Sequence, residues 1–226
     1  MLNKHFFGVK EVEEARKKLE QKKLSIFLKL LFDKLLAILL LIILSPIFVI
    51  LGLLIKLEDG GDVFYRQERV TTNGKLFRIF KFRTMVNNAD KIGSLVTVQN
   101  DSRITKIGSV IRKYRLDEIP QLLNIILGEM SFVGARPEVP KYVQHYTDEM
   151  KVTLLLPAGV TSMSSIEFKD ENEIIEKYVS EGLTVDEIYI SKVLPQKMKA
   201  NIEYIHQFNL FFDFSIMIKT AIAVLK

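Results

Sequence analysis

From Leu35 to Ile55 the chain carries no charged side chain, and no other feature constrains the fold as tightly. At about 1.5 Å per residue, a helix of that length matches the ~30 Å hydrocarbon core of a bilayer. The run begins too far into the chain, and lacks the small-residue cleavage site, to read as a signal peptide. Ser45-Pro46 falls near its middle. Proline removes one backbone hydrogen bond and crowds the preceding turn, so the sequence predicts a helix broken or kinked there, with Ser45 able to bond the carbonyl that the proline releases. A kinked helix could cross the bilayer once, or bend and leave by the face it entered. Lys22, Lys23, Lys29 and Lys34 precede the run, and Lys56, Arg66, Arg69, Lys75 and Arg78 follow it. Neither flank reads as an outside end, which favours the re-entrant arrangement with both flanks cytoplasmic.

Charge and composition narrow the partners. The net charge is +5, a modest basic bias suited to an anionic membrane surface or a phosphorylated substrate. No nucleic-acid recognition motif accompanies it, so none is expected as a partner. There is no cysteine, which excludes disulfides and thiolate metal sites. The three histidines, His5, His145 and His206, have no ligand spacing.

The chemistry concentrates at Arg112-Lys-Tyr-Arg115-Leu-Asp117-Glu118-Ile-Pro120-Gln121-Leu-Leu-Asn124. Two acids stand side by side just before an apolar helical run, with Arg112 and Arg115 one turn upstream. Pro120 fits only the first turn of a helix. Asp117 is a candidate N-cap and Gly128 a candidate left-handed C-cap. A helix N-terminus beside arginines favours phosphate. Paired carboxylates next to phosphate suit a divalent metal, Mg²⁺ above all, or one of them can serve as a nucleophile. The plainer reading of such a pair is an N-cap followed by a solvated acid.

Three stretches then occur in an order and spacing that resembles a known family. They are Lys81-Phe-Arg83-Thr84-Met85, Arg115-Leu-Asp117-Glu118-Ile-Pro120-Gln121-Leu-Leu-Asn124 and Gly128-Glu-Met130-Ser131-Phe-Val-Gly134-Ala-Arg136-Pro137. The chain is similar to the bacterial sugar transferases, the monotopic polyprenyl-phosphate phosphoglycosyl transferases, from about Leu28 to Gly159 and more weakly beyond. The resemblance implies transfer of a sugar 1-phosphate from a UDP-sugar to polyprenyl phosphate, through a phosphosugar-aspartyl enzyme. It implies Asp117 as nucleophile, and Asp117 with Glu118 as Mg²⁺ ligands. Arg112 and Arg136 would neutralise phosphate charge, and Ser45-Pro46 would be the helix-breaking pair. It also implies a bacterial inner-membrane enzyme with its globular part on the cytoplasmic face, and a homodimer is compatible with it. A later family arginine of the phosphate site falls near Lys169. The chain departs from the pattern between Pro157 and Ser165, where Pro157 replaces an arginine, Ala158 a proline, Ser162 a glycine and Ser165 a glutamine. That departure bears on the nucleotide and sugar contacts.

Elsewhere the local patterns are plain. Residues 1–28 read as an amphipathic helical segment near the membrane, with Val12, Ala15 and Leu19 on one face. Asn73-Gly74 between Val63–Val70 and Leu76–Arg83 predicts a β-hairpin. Alternation puts Lys81 and Arg83 on one face, where both could meet anionic groups. Gly134 and Pro137 would present Arg136 from a rigid turn. A helix is expected from Pro137 to Met150, a charged surface region over 170–200, and an apolar last helix from Asn209 to Lys226 packed on the domain and the membrane interface rather than spanning. The expected architecture is α/β and mainly helical: a leader over 1–28, a re-entrant membrane helix over 29–57, and a small cytoplasmic catalytic domain over 58–226. Two other classes fit the residues alone: a non-catalytic protein that binds anionic lipid or a partner, and a membrane-anchored nucleotidyl transferase or phosphohydrolase acting on soluble substrates.

Overall fold

The computed structural model describes residues 4–89, 101–167, 171–179 and 181–225. Helix α1 spans Lys10–Glu20. Val12, Ala15 and Leu19 are buried against Val133, Val152, Leu156, Tyr204 and Phe208. The apolar stripe expected to face the membrane therefore packs into the protein core.

Helix α2 spans Lys23–Asp59. It is continuous through Ser45-Pro46, where a break was expected. Proline at position 46 leaves the carbonyl of Ile42 without its helical donor, and the Ser45 hydroxyl donates to that same carbonyl at 2.8 Å. A polar group that would otherwise stand unpaired in an apolar setting is thus satisfied within the helix. Ala37, Leu40, Leu41, Leu44, Phe48, Leu51 and Ile55 form one stripe that packs on the globular part from end to end. The remaining faces are apolar and open, among them Leu35, Ile42, Ile43, Ile50 and Leu53. Only 11% of the most apolar window is buried, far less than the core helix of a soluble protein would show.

Strands β1 (Phe64–Val70) and β2 (Leu76–Phe82) form the expected hairpin, with Val70 opposite Leu76 and Phe64 opposite Phe82. Asn73 and Gly74 both take positive φ in the turn, the conformation this dipeptide accepts readily. Helix α3 (Lys106–Lys113) starts at Thr105, whose side chain accepts from the Gly108 N–H. A 3₁₀ turn, Leu116–Glu118, precedes α4 (Gln121–Ile126). The latter ends in a Schellman cap: Glu129 N donates to Asn124 O and Gly128 N to Ile125 O, with Gly128 at φ +77.

Strands β3 (Met130–Val133) and β4 (Ala158–Thr161) pair in parallel. Between them lie α5 (Pro140–Val143), far shorter than the helix expected from Pro137 to Met150, and a 3₁₀ segment, Met150–Leu155. A Cβ on Gly134 would overlap the Pro157 carbonyl oxygen, and one on Gly159 would overlap the Gly134 backbone. The two glycines let those backbones approach. Then come α6 (Met163–Glu167), α7 (Glu171–Val179), α8 (Val185–Ile188), a π turn (Tyr189–Val193), α9 (Leu194–Gln207) and α10 (Leu210–Leu225). Ile175, Ile188, Tyr189, Val193, Leu194 and Met198 are core residues, so much of the stretch expected at the surface is interior. The chain is α/β and mainly helical, with two small sheets.

Candidate active site

The acid pair lies in the 3₁₀ turn rather than at a helix cap. Arg115, the residue before that turn, takes φ +56, an uncommon conformation for a residue with a Cβ. It ends α3 and redirects the chain so that Leu116, Asp117 and Glu118 form a turn of their own. Pro120, not Asp117, flanks α4, and no side chain caps it. The N–H groups of Glu118, Ile119, Leu122 and Leu123 donate to the carbonyls of Arg115, Leu116, Ile119 and Pro120. Of the N–H groups at the start of α4 expected to favour phosphate, those of Leu122 and Leu123 are therefore taken up by the turn's own carbonyls.

Side chains supply the positive charge instead. Lys81 Nζ stands 3.0 Å from Glu118 Oε1 and 3.6 Å from Asp117 Oδ2. Arg136 donates to the same Glu118 oxygen at 2.5 Å. Arg112 makes no ion pair among the described residues, yet lies near enough for its charge to act on Asp117. Asp117 and Glu118 are each 14% exposed and Arg136 29%: the group is sheltered but still open to a substrate.

The two acids differ in their proton affinity. Burial pushes the Asp117 carboxyl up, Lys81 opposes it, and the Glu118 charge adds to the rise, leaving Asp117 above the ordinary carboxylate range. Burial also disfavours charge on Glu118, but Arg136 and Lys81 outweigh it and hold that carboxyl far below its usual value. Glu118 in turn pushes Arg136 up.

The other expected site residues separate. Arg83 is buried and donates to Asp59 and, at 2.6 Å, to Asn87, tying the end of α2 to the hairpin rather than joining Lys81. Strand alternation alone does not reveal this, because Arg83 lies just past the end of β2. Lys169 lies outside the described residues. In the divergent stretch, Ser162 is buried, accepts from the Ser165 N–H at 3.0 Å and bonds the Ser164 and Ser165 hydroxyls. It organises the start of α6.

The structure adds supports that the motifs did not announce. Half-buried Arg69 donates to the Pro137 carbonyl at 2.9 Å, and Val70 N donates to Glu138 O at 3.0 Å. The loop that carries Arg136 is thus held on β1. Arg69 sits opposite Phe77, and Gln67 opposite Ile79. Two polar residues facing apolar partners across a hairpin are the signal that could have marked them as inward-pointing.

Adjacent carboxylates offer hard oxygen donors of the kind Mg²⁺ takes, its remaining positions going to water and phosphate oxygens. No group of three or more metal-binding side chains occurs among the described residues, so the pair fits a substrate-completed site and not an all-protein cage.

A sheltered acid pair bracketed by a lysine and an arginine thus shares one body with a long helix that keeps a bare apolar face. The chain belongs to the bacterial sugar transferase family, whose sequence pattern matches residues 24–226. It is 34% identical over 208 residues to the exopolysaccharide production protein ExoY of Rhizobium meliloti, covering 85% of this chain and 83% of that one. It is 41% identical over 155 residues to the ExoY of Sinorhizobium fredii, 62% of this chain and 69% of the relative. It is also 32% identical over 193 residues to the UDP-glucose:undecaprenyl-phosphate glucose-1-phosphate transferase of Escherichia coli, covering 83% of this chain but 38% of the longer relative.

Proposed function

We propose that this enzyme transfers a sugar 1-phosphate from a UDP-sugar to polyprenyl phosphate, releasing UMP. The observation that carries the reading is the unequal acid pair. Glu118, held ionised by Arg136 and Lys81, anchors the two cations. Among the described residues Asp117 has only the longer 3.6 Å contact to Lys81, so its oxygens remain available. An Asp117 oxygen attacks the sugar-linked phosphorus, the bond to the bridging oxygen breaks, and UMP leaves with that oxygen. An oxygen of polyprenyl phosphate then attacks the same phosphorus and returns the carboxylate. Each step brings an anion to an anion, so Lys81, Arg112 and Arg136 lower the barrier by countering charge in a sheltered site. Asp117 and Glu118 would hold Mg²⁺, which when bound adds further positive charge on the phosphate oxygens.

Placement at the membrane supports the same reading. Lys29 and Asp33, near one end of α2, bond Asp213 and Ser131. Glu58 and Asp59, at the other end, bond Ile107 N and Arg83. One globular body holds both ends, so we read α2 as bending at Ser45-Pro46 without losing its helical backbone, and so entering and leaving by a single face with its bare side in hydrocarbon. The exposed stripe Phe211, Phe214, Ile218 and Ile222 of α10 extends that face. The acid pair then sits where a lipid phosphate is presented, on the cytoplasmic side of the inner membrane.

The test is incubation of the reconstituted protein with Mg²⁺, a short-chain polyprenyl phosphate and a panel of UDP-sugars, scoring UMP. Release that requires the acceptor, and that falls by at least about 10³-fold in Asp117→Asn, is expected. Turnover without acceptor would favour a hydrolase, and no release with any sugar would favour a non-catalytic lipid-binding role.

A further inference from the structure

We propose that Asn124 is a positioning residue: its amide completes the open edge of β2 and thereby sets the reach of Lys81 to the acid pair. The inference rests on the reaction proposed above for its kinetic arm, but not for its geometry.

One edge of β2 pairs with β1. Its other edge turns Phe80 N–H and Arg78 C=O outward. Asn124 is fully buried, and its Oδ1 accepts from Phe80 N at 2.8 Å while its Nδ2 donates to Arg78 O at 3.0 Å. One side-chain amide thus stands in for a neighbouring strand, donor and acceptor both used. Glu129 accepts from the same Nδ2 at 2.7 Å and so fixes which way the amide faces. Glu129 is itself tied down, since its backbone carbonyl accepts from the Thr71 hydroxyl at 2.8 Å.

The consequence follows from where each partner sits in the chain. Lys81 is the residue after Phe80, and Glu118 lies on the turn leading into the helix that carries Asn124. Lys81 reaches Glu118 at 3.0 Å only while β2 and α4 keep their present offset. Asn124 supplies side-chain hydrogen bonds directly between those two elements, beside apolar contacts that can slide: Phe77 and Ile79 on Leu122 and Ile125. Apolar packing is non-directional, whereas a two-point amide bridge fixes register.

Two experiments test this. First, UMP release is measured for Asn124→Leu, Lys81→Gln and the double variant. Each single change is expected to lower kcat about 10- to 100-fold, with KM for the UDP-sugar changing less, and the double to be no slower than the slower single. Losses that multiply would mean that Asn124 acts independently of Lys81 and would overturn the proposal. Asn124→Asp keeps the acceptor for Phe80 N–H but loses the donor to Arg78 O. It also sets a buried carboxylate against Glu129, so Asn124→Ala, which removes both bonds without added bulk or charge, is the second variant: it should match Asn124→Leu and carries the test if the leucine variant does not fold. Second, the chain has no cysteine, so Lys81→Cys with Glu118→Cys gives a clean pair for a short bis-thiol cross-linker. High yield with Asn124 and a clear drop with Asn124→Leu or Asn124→Ala, in chains that still melt cooperatively, is expected. Unchanged yield would sink the positioning role. The cross-link reads geometry even if no UDP-sugar is turned over, so failure of the proposed reaction and failure of this inference are told apart.

Discussion

Asp117 and Glu118 adjoin in sequence and diverge in electrostatics, and that difference makes the pH dependence predictable. In the proposed reaction Asp117 must be ionised to attack, and its carboxyl lies above the ordinary range because burial and the Glu118 charge outweigh Lys81. As pH falls through that raised value, activity is lost. Lys81→Gln removes a charge that pulls Asp117 down, so the acid limb of the UMP-release profile should move to higher pH. A limb that stays in place would remove Asp117 as the titrating group. Arg115→Gly tests the backbone at the same turn. Glycine takes φ near +56 without a Cβ penalty of about 1 kcal/mol, set against roughly 0.4–1 kcal/mol of added unfolded-chain entropy. Chemical denaturation should therefore show stability unchanged within about 1 kcal/mol, where an ordinary helical arginine changed to glycine would lose about that much. The acids, Arg112 and Arg136 were legible in the sequence because their motifs fix residue type and spacing. The turn that holds the acids was not. Asp-Glu-Ile-Pro reads as a cap and first helical turn, and arginine gives no signal that it will adopt a left-handed conformation. Arg83 misled for a related reason: alternation gives the face of a strand, but its partner, Asp59, comes from the far end of α2.

At the scale of elements, the hairpin was readable to within a residue because Asn-Gly encodes its own turn. The leader helix was readable only as amphipathic, since a stripe of Val12, Ala15 and Leu19 looks alike whether it meets lipid or protein. Helix α2 keeps its helical backbone through the proline. Proline should break a helix, yet this one continues because Ser45 bonds the carbonyl that Pro46 strands. Ser45→Ala should therefore destabilise the protein in detergent by about 1–3 kcal/mol, the cost of an acceptor left unpaired in an apolar surrounding. Pro46→Ala restores an N–H to Ile42, so the same serine change on that background should cost almost nothing. Thermal melts of the two singles and the double give the coupling, and strict additivity would show that Ser45 is not the substitute donor. The paired backbones at Gly134 and Gly159 make a sharper forecast. Gly159→Ala forces a Cβ into the Gly134 backbone, so β3 and β4 must separate. A loss of roughly 1–3 kcal/mol or more is expected from the overlap, read as a lower melting temperature.

For the whole molecule, the decisive feature is that one body grips both ends of a helix long enough to cross a bilayer. Near the first end, Lys29 Nζ lies 2.5 Å from Asp213 and 3.5 Å from Asp33, all three buried, and the Tyr204 hydroxyl donates to Asp213 at 2.8 Å. Removing the lysine leaves two carboxylates facing each other without a cation, so Lys29→Met should cost about 3–5 kcal/mol and release α10 from α2. At the second end, Asp59 pairs with Arg83, and the Glu58 carboxylate accepts from Ile107 N at 3.1 Å. A helix of 37 residues, at about 1.5 Å each, is longer than the ~30 Å hydrocarbon layer. Were it to span, one of these clusters would lie across the membrane from the domain that completes it, and its charges would be stripped of their partners at several kcal/mol apiece. The balanced lysines and arginines on either side of the apolar run agree with a single-sided arrangement, although charge counting could not choose it alone. With no native cysteine to interfere, Lys18→Cys and Asp62→Cys can be introduced separately and probed with a membrane-impermeant thiol reagent in sealed vesicles of known orientation. Both positions should label from the cytoplasmic side and from no other. Opposite labelling would place the helix across the bilayer, detach one charged cluster from its partners, and remove the ground for setting the acid pair at the depth of a lipid phosphate.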